Sequence, residues 1–348
     1  MTPDDLPLRL MLDGDALIAN WRWLADRAGA PAGAAVKADG YGLGAREVTR
    51  RLAGAGARDF FVATWAEADA LGRLPEGAAL SVLHGVREED MAAALASPAR
   101  PVLNTAAMVA RWKAAAPGRP CDVMVDTGMN RLGLSIAEAS SGLLDGLEID
   151  IVMSHLACAD ERDSAMNERQ RARFATLSSD IAAKRYSLAN SAGACLGPGY
   201  AYDLVRPGLA LYGGIPRVEA VGHIRRVVRL EAQILQLRDV PAGDSVGYGA
   251  TFTAAEATRI AILNVGYADG YLRAFAGHGA ALADGRRLPL AGRVSMDLVA
   301  VDIGEVDLAE SDWLELDYDL QAAARDTGLS QYELLTGLGS RYQRRWNG

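Results

Sequence analysis

Ala34-Ala35-Val36-Lys37-Ala38-Asp39-Gly40-Tyr41-Gly42-Leu43-Gly44 is a short apolar run that ends in a lysine and passes at once into a glycine-broken loop carrying a tyrosine. Lysine is scarce in this chain, occurring only at 37, 113 and 184, and arginine supplies the other basic residues. Arginine cannot lose its proton at usable pH, whereas a partly desolvated lysine becomes a nucleophile or a Schiff-base partner. A lysine snorkelling from a strand end explains the local sequence equally well. The rest of the chain has to decide between them.

Outward from this stretch, short apolar runs alternate with helical segments. Strands are expected at 34–37, 60–64, 80–84, 101–103, 122–126, 149–154, 187–190 and 203–206, and helices at 15–28, 65–74 and 165–184. Eight strand–helix units in this length predict a (β/α)8 TIM barrel over residues 8–225. A doubly wound sheet is the alternative, weakened because no GxGxxG turn follows the first strand. Near residue 225 the pattern changes to period two, as in Arg229–Leu237, with further strands expected at 259–265, 280–282 and 298–303. A smaller, mainly β domain is therefore expected over 226–348, with an N-terminal strand within 1–12 as a candidate addition.

With 348 residues and 50% hydrophobic content, the chain is long enough for two domains with large cores. The net charge of -8 argues against nucleic-acid binding. The acidic start Met1-Thr2-Pro3-Asp4-Asp5 has neither a basic nor an apolar leader region, and no apolar run is long enough to span a bilayer, so a cytoplasmic protein is expected. Cys121, Cys158 and Cys195 lack metal-site spacing and read as small core residues; no metal site is expected.

In a barrel of this kind catalytic groups gather at the carboxyl ends of the strands. Lys37 ends the first candidate strand, Arg131 follows the fifth and His155 ends the sixth. Asn190 and Ser191 end the seventh, while Arg206, Pro207 and Gly208 end the eighth. Core packing does not account for so many polar groups converging on one face.

At these positions the chain resembles the alanine racemases, pyridoxal-phosphate enzymes of fold-type III. AAVKADGYGLG is similar to their lysine motif, usually AVVKANAYGHG, but departs from it at Asp39, Gly40 and Leu43. Asp126–Gly133 resembles DTGMxRLG, Arg206–Gly213 resembles RPGIALYG, and Val246–Phe252 resembles VSYGATW. Gly266–Tyr271 matches GYADGY, Gly292–Asp297 resembles GRVCMD, and Leu335–Arg345 resembles the closing LGxRYxRR segment. The motifs keep the family's order from residue 34 to 345.

The resemblance implies an isomerase that interconverts L- and D-alanine and supplies D-alanine for peptidoglycan. It implies Lys37 as the residue carrying pyridoxal 5'-phosphate and as one of two bases, with Tyr248 as the other, on the opposite face. Racemisation needs that geometry, because one base removes the Cα proton and another returns it from the other side. A tyrosine, with an ordinary pKa of about 10, is a poor base at neutral pH; the family links it by hydrogen bonds through a histidine, here His155, to the arginine at the cofactor ring nitrogen, here Arg206. Arg131 is implied at the cofactor's phenolic oxygen and the substrate carboxylate. Tyr41, Asn190, Ser191, Gly208, Leu209 and Tyr342 are implied in holding the cofactor, chiefly its phosphate. Tyr267, Met296 and Asp297 are implied on the substrate side, reaching with Tyr248 into the other subunit of a homodimer with shared active sites.

A serine or broad-spectrum amino-acid racemase shares much of this motif set. The related decarboxylases carry an acid where Arg206 stands and a cysteine in the β domain, and no cysteine follows Cys195. The single-domain pyridoxal-phosphate carriers end with the barrel, whereas this chain continues well past residue 225. One departure has a chemical consequence: Met124 stands where several family members carry a lysine, carbamylated in some, that orients the arginine. A thioether cannot form a carbamate, so the intact mass of the protein in bicarbonate buffer is expected to show none; a stable addition of carbon dioxide near Arg131 would contradict this.

Overall fold

The computed structural model describes residues 6–348. The leader reading rests on Met1–Asp5, which lie outside the described residues. The chain divides into two compact units: Ala16–Arg225, and Arg226–Gly348 together with the N-terminal segment through Asp15.

β1 (Leu8–Asp13) belongs to the second unit. The first contains β2 (Ala34–Ala35), β3 (Asp59–Val62), β4 (Ala79–Val82), β5 (Arg100–Leu103), β6 (Cys121–Met124), β7 (Ile149–Met153) and β8 (Arg185–Ser187), paired in that order as one parallel sheet. These strands are nearly all buried, which is why they read as unbroken apolar runs. Phe61, Val102, Met124, Ile151, Met153 and Leu204 pack together as one cluster. Strands so far apart in the sheet share a core because the sheet curls round it.

The eighth position differs from expectation. Residues 203–207 form no regular ladder, yet they close the ring through backbone hydrogen bonds on both sides. Gly33 N–H donates to Val205 O at 2.9 Å and Ala35 N–H to Pro207 O at 2.9 Å, while Arg206 N–H donates to Ala189 O at 2.8 Å. Pro207 has no N–H to give, and Tyr202 stands at φ 54, so the segment cannot run as a continuous strand.

At the amino ends of the strands, opposite the lysine, Arg100 bonds Asp122 at 3.0 Å and Asp150 at 3.0 Å, and Arg185 bonds Asp59 and Asp150 at 2.7 Å each. Asp122 also accepts from Ser81 Oγ and from Ile151 N–H. This ring of charge ties β3 to β8.

In the second unit β9 (Val228–Val240) is the hub. Val228, Leu230, Ala232 and Ile234 face inward, as the period-two reading implied. β10 (Ser245–Val246) and β11 (Phe252–Thr253) form a separate hairpin. The remaining strands are β12 (Thr258–Leu263), β13 (Ala280–Ala283), β14 (Arg286–Pro289), β15 (Val299–Asp302), β16 (Trp313–Leu316) and β17 (Gln343–Asn347). Sheet order is β14-β13-β16-β9-β1-β17, and β12 bridges β9 to β15. The sequence reading missed β17, whose residues are polar or charged except for Trp346. It is held by parallel pairing with β1 rather than by a strand-like composition.

Burial pushes the Asp122 carboxyl up to about 6, against the pull of Arg100. Its folded value lies above its unfolded one, so its contribution to stability is complete below about pH 4 and fades as pH rises through 6. Replacing Arg100 by Met should therefore destabilise the protein by about 3 kcal/mol at pH 8, because it strands a buried charge. The loss should shrink at pH 5, where Asp122 takes up a proton. Urea unfolding of both proteins at the two pH values checks this.

Candidate active site

Lys37 leaves β2 directly into the helical turn Lys37–Tyr41, and that turn is left-handed. Ala38, Asp39, Gly40 and Tyr41 have φ of 52, 50, 63 and 55. Each non-glycine residue there costs about 1–2 kcal/mol, so the turn needs support. Gly40 N–H donates to Val36 O at 2.8 Å and Gly42 N–H to Ala38 O at 2.9 Å. Glu67 Oε1 accepts from Ala38 N–H at 2.7 Å.

The three departures from the family's lysine motif have a local role here. Asp39 accepts from Ala45 N–H at 2.8 Å, tying the turn to the start of the next helix, Ala45–Ala55. A Cβ on Gly40 would lie 3.1 Å from Ala45 Cα at an already positive φ. Leu43 is fully buried. Asp39 and Gly40 thus suit the turn and its junction with the next helix, and Leu43 packs in the core just beyond it.

The turn aims Tyr41 across the barrel mouth, stacked on Tyr212 with ring centroids 4.7 Å apart. Tyr212 is itself fixed by its hydroxyl donating to Ala35 O at 2.8 Å. A Cβ on Gly208 would lie 2.2 Å from the Tyr41 hydroxyl, so only glycine lets the two meet. Ser191 Oγ accepts from Gly208 N–H at 2.9 Å and from Ala210 N–H at 3.2 Å. The Gly208 amide is thus taken up by Ser191, whose own O–H is left as a donor. Asn190 caps the short helix Ser191–Cys195 by accepting from Gly193 N–H at 2.8 Å. Leu209 is buried beside them.

Arg206 is buried and donates to Ser187 O at 2.8 Å, to Ser187 Oγ and to Ser154 O. Its partners are neutral, and burial pulls it down to about 10 although Asp122 acts the other way. His155 is half-buried, and desolvation followed by the charges of Arg206, Arg131 and Lys37 pushes it down to about 3, so the ring is neutral at physiological pH. The resemblance implied a hydrogen bond between His155 and Arg206. Arg206's hydrogen bonds go instead to Ser187 and Ser154, and its charge lowers the His155 pKa. Desolvation and then Arg131 lower the Lys37 pKa, while Glu67 opposes them. Arg131 is exposed, and Met124 packs in the barrel core. Gln170, which sequence reasoning overlooked, is fully buried and donates to Thr127 Oγ1 and His155 O, joining the loops that carry Arg131 and His155. No sequence signal singles it out within a mostly polar helix.

In the second unit, the β10–β11 hairpin presents Tyr248, which is 71% exposed. Tyr267 N–H donates to Ser295 O and Ala268 N–H to Met296 O, both at 3.0 Å, so Tyr267, Met296 and Asp297 form one block. Arg341 locks it, pairing with the buried Asp269 at 2.6 Å and with Asp297 at 2.7 Å. Tyr342 is buried, its hydroxyl without a hydrogen-bond partner among the described residues, and its charge neighbours include Tyr318 and Tyr271.

The alanine racemase N-terminal domain family matches residues 12–216 and the alanine racemase C-terminal domain family matches residues 227–346. The chain belongs to the alanine racemase family. It is 44% identical over 347 residues to an alanine racemase of Acidiphilium cryptum, covering 96% of this chain and 97% of that one. It is also 44% identical to a catabolic alanine racemase of Agrobacterium fabrum, covering 96% and 91%. The crystal structure of alanine racemase from Bartonella henselae with covalently bound pyridoxal phosphate superposes with a TM-score of 0.90 at 34% identity, covering 98% of this chain and 99% of that one.

The residues fit that cofactor. The unit offers a partly desolvated amine, a guanidinium among neutral acceptors, and two hydroxyls meeting at a glycine that a Cβ would fill. Gly208→Ala should therefore push Tyr41 aside and weaken pyridoxal phosphate binding to the apoprotein roughly tenfold. The unfolding midpoint should stay near wild type. Fluorescence titration with the cofactor measures the first and circular dichroism the second.

Proposed function

We propose that this protein is a pyridoxal-phosphate-dependent alanine racemase in which Lys37 and Tyr248 are the two bases. The observation that carries the reading is the grouping of Lys37, Arg131 and Arg206 around a neutral His155 at the carboxyl ends of the barrel strands. Family membership along the whole chain supports the substrate, as does the name shared by its relatives.

When bound, pyridoxal phosphate supplies a conjugated ring that draws electrons from an attached amino acid and acidifies its Cα–H. Tyr41, Ser191 and the backbone at Leu209 would hold its phosphate. Arg206 would donate to its ring nitrogen; a guanidinium does not give up its proton there, so the ring withdraws electrons less strongly than beside a carboxylate. That favours prompt return of the proton to carbon. Arg131 would orient the substrate carboxylate. Lys37, with its lowered pKa, is suited to move a proton on one face of Cα, and Tyr248 on the other.

The partner's contribution follows from exposure. Tyr248 at 71%, Met296 at 53% and Leu298 at 38% are large side chains open to solvent. We infer that two copies assemble with these groups of one facing the Lys37 of the other. No helix among the described residues is long and apolar enough to cross a membrane. D-alanine so formed would serve peptidoglycan synthesis.

Lys37→Ala and Tyr248→Phe should each abolish most racemisation, the latter with cofactor absorbance retained. Mixing the two inactive proteins and allowing exchange should restore about a quarter of the native sites, since a heterodimer has one site with both native residues. Chiral chromatography of products from L-alanine and other L-amino acids reads this out. Absence of recovery despite proven exchange would exclude shared sites, and no racemisation by wild type would exclude the activity.

A further inference from the structure

Glu67 sits at the third position of the helix Trp65–Leu71, whose capping box with Thr64 needs one carboxylate oxygen. Oε2 meets that need, accepting from Thr64 N–H at 3.2 Å and Ala63 N–H at 2.6 Å. Oε1 does something a helix cap does not require: it accepts from Ala38 N–H at 2.7 Å, the residue following Lys37 and the first of the left-handed turn. Both oxygens are committed as acceptors, so a glutamine would turn an NH2 toward a backbone donor. We propose that Glu67 is the positioning residue for Lys37, clamping the strained turn that aims it and keeping a negative charge beside its amine.

Three charged or titratable groups act with Lys37: Arg131 from the loop after β6, His155 after β7 and Glu67 after β3. Glu67 is the acid among them, and it opposes the desolvation and the Arg131 charge that lower the amine's pKa. Arg131 acts in the reverse sense, so Glu67 keeps the amine from losing its proton too early. β3 is paired to β2, and Val36 N–H donates to Phe61 O at 2.8 Å, so the carboxylate reaches the turn from an adjacent strand exit.

This inference rests on Lys37 binding pyridoxal phosphate. The test is the rate at which apoprotein captures pyridoxal phosphate, followed by absorbance across pH in wild type, Glu67→Gln and Glu67→Asp. Glu67→Gln should lower the limiting rate roughly tenfold and move the midpoint of the profile down by about one pH unit, since removing a negative charge eases loss of the lysine proton. Glu67→Asp keeps the charge at shorter reach, so the midpoint should hold while the rate falls. Should Glu67→Gln fail to fold, its combination with Ala38→Gly, which relieves the turn, carries the midpoint test in its place. Adding Ala38→Gly, which adopts the positive φ without strain, should restore the rate of Glu67→Gln but not its midpoint. A purely structural role would lower the rate and leave the midpoint in place, and that result overturns the electrostatic part. Variants with wild-type rate and midpoint overturn the whole proposal. Failure of wild type to capture the cofactor would instead overturn the functional reading on which it stands.

Discussion

A lysine at the end of a strand must be turned back over the barrel mouth, and the left-handed turn Lys37–Tyr41 does this within a single element. L-residues resist that conformation by roughly 1–2 kcal/mol each, so the turn exists only because its surroundings over-determine it. Backbone hydrogen bonds to Val36 and Ala38, the Asp39 contact to Ala45, and Glu67 from the neighbouring strand exit supply that constraint. The same turn sets Tyr41 against Tyr212 and Gly208. Strain is concentrated where geometry matters to chemistry, a pattern seen where pre-organisation is part of the mechanism.

Electrostatics around the lysine follow from what the barrel excludes. The carboxylates of the first unit's ion-pair ring lie at the amino ends of the strands, where Arg100 and Arg185 neutralise much of their charge. At the carboxyl ends Arg206 meets carbonyl and hydroxyl oxygens rather than an acid. Desolvation and nearby positive charge keep His155 neutral and ease deprotonation of Lys37, with Glu67 opposing them at the lysine. Met124 is taken up by the packing of the barrel core, and Arg131 stands exposed.

The second unit is organised about Asp269 and Arg341. Asp269 accepts from Gly266 N–H, and Arg341 links that buried carboxylate to Asp297, so the loops bearing Tyr267, Met296 and Asp297 are tied together. The β10–β11 hairpin carrying Tyr248 is a smaller and more exposed device, built on positive φ at Gly247 and Gly249.

Much of this was legible in residues 34–345. Fully buried parallel strands read as apolar runs, the inward face of β9 reads as an alternation, and Lys37, Arg131, His155 and Arg206 stand out as polar groups at strand ends. Those signals are local, and local composition carries them. What only tertiary structure decided is non-local. Closure by 203–207 uses backbone bonds to two distant segments, β17 exists because β1 pairs with it, and Gln170 and Glu67 bind loops that no spacing links to them. Asp39 and Gly40 gain a local reading only from the left-handed turn, where one bonds Ala45 and the other packs against it. Sequence determined which residues are candidates for the chemistry, because reactive side chains are identities. The fold decided how they are held, because hydrogen bonds and φ angles depend on neighbours remote in the chain.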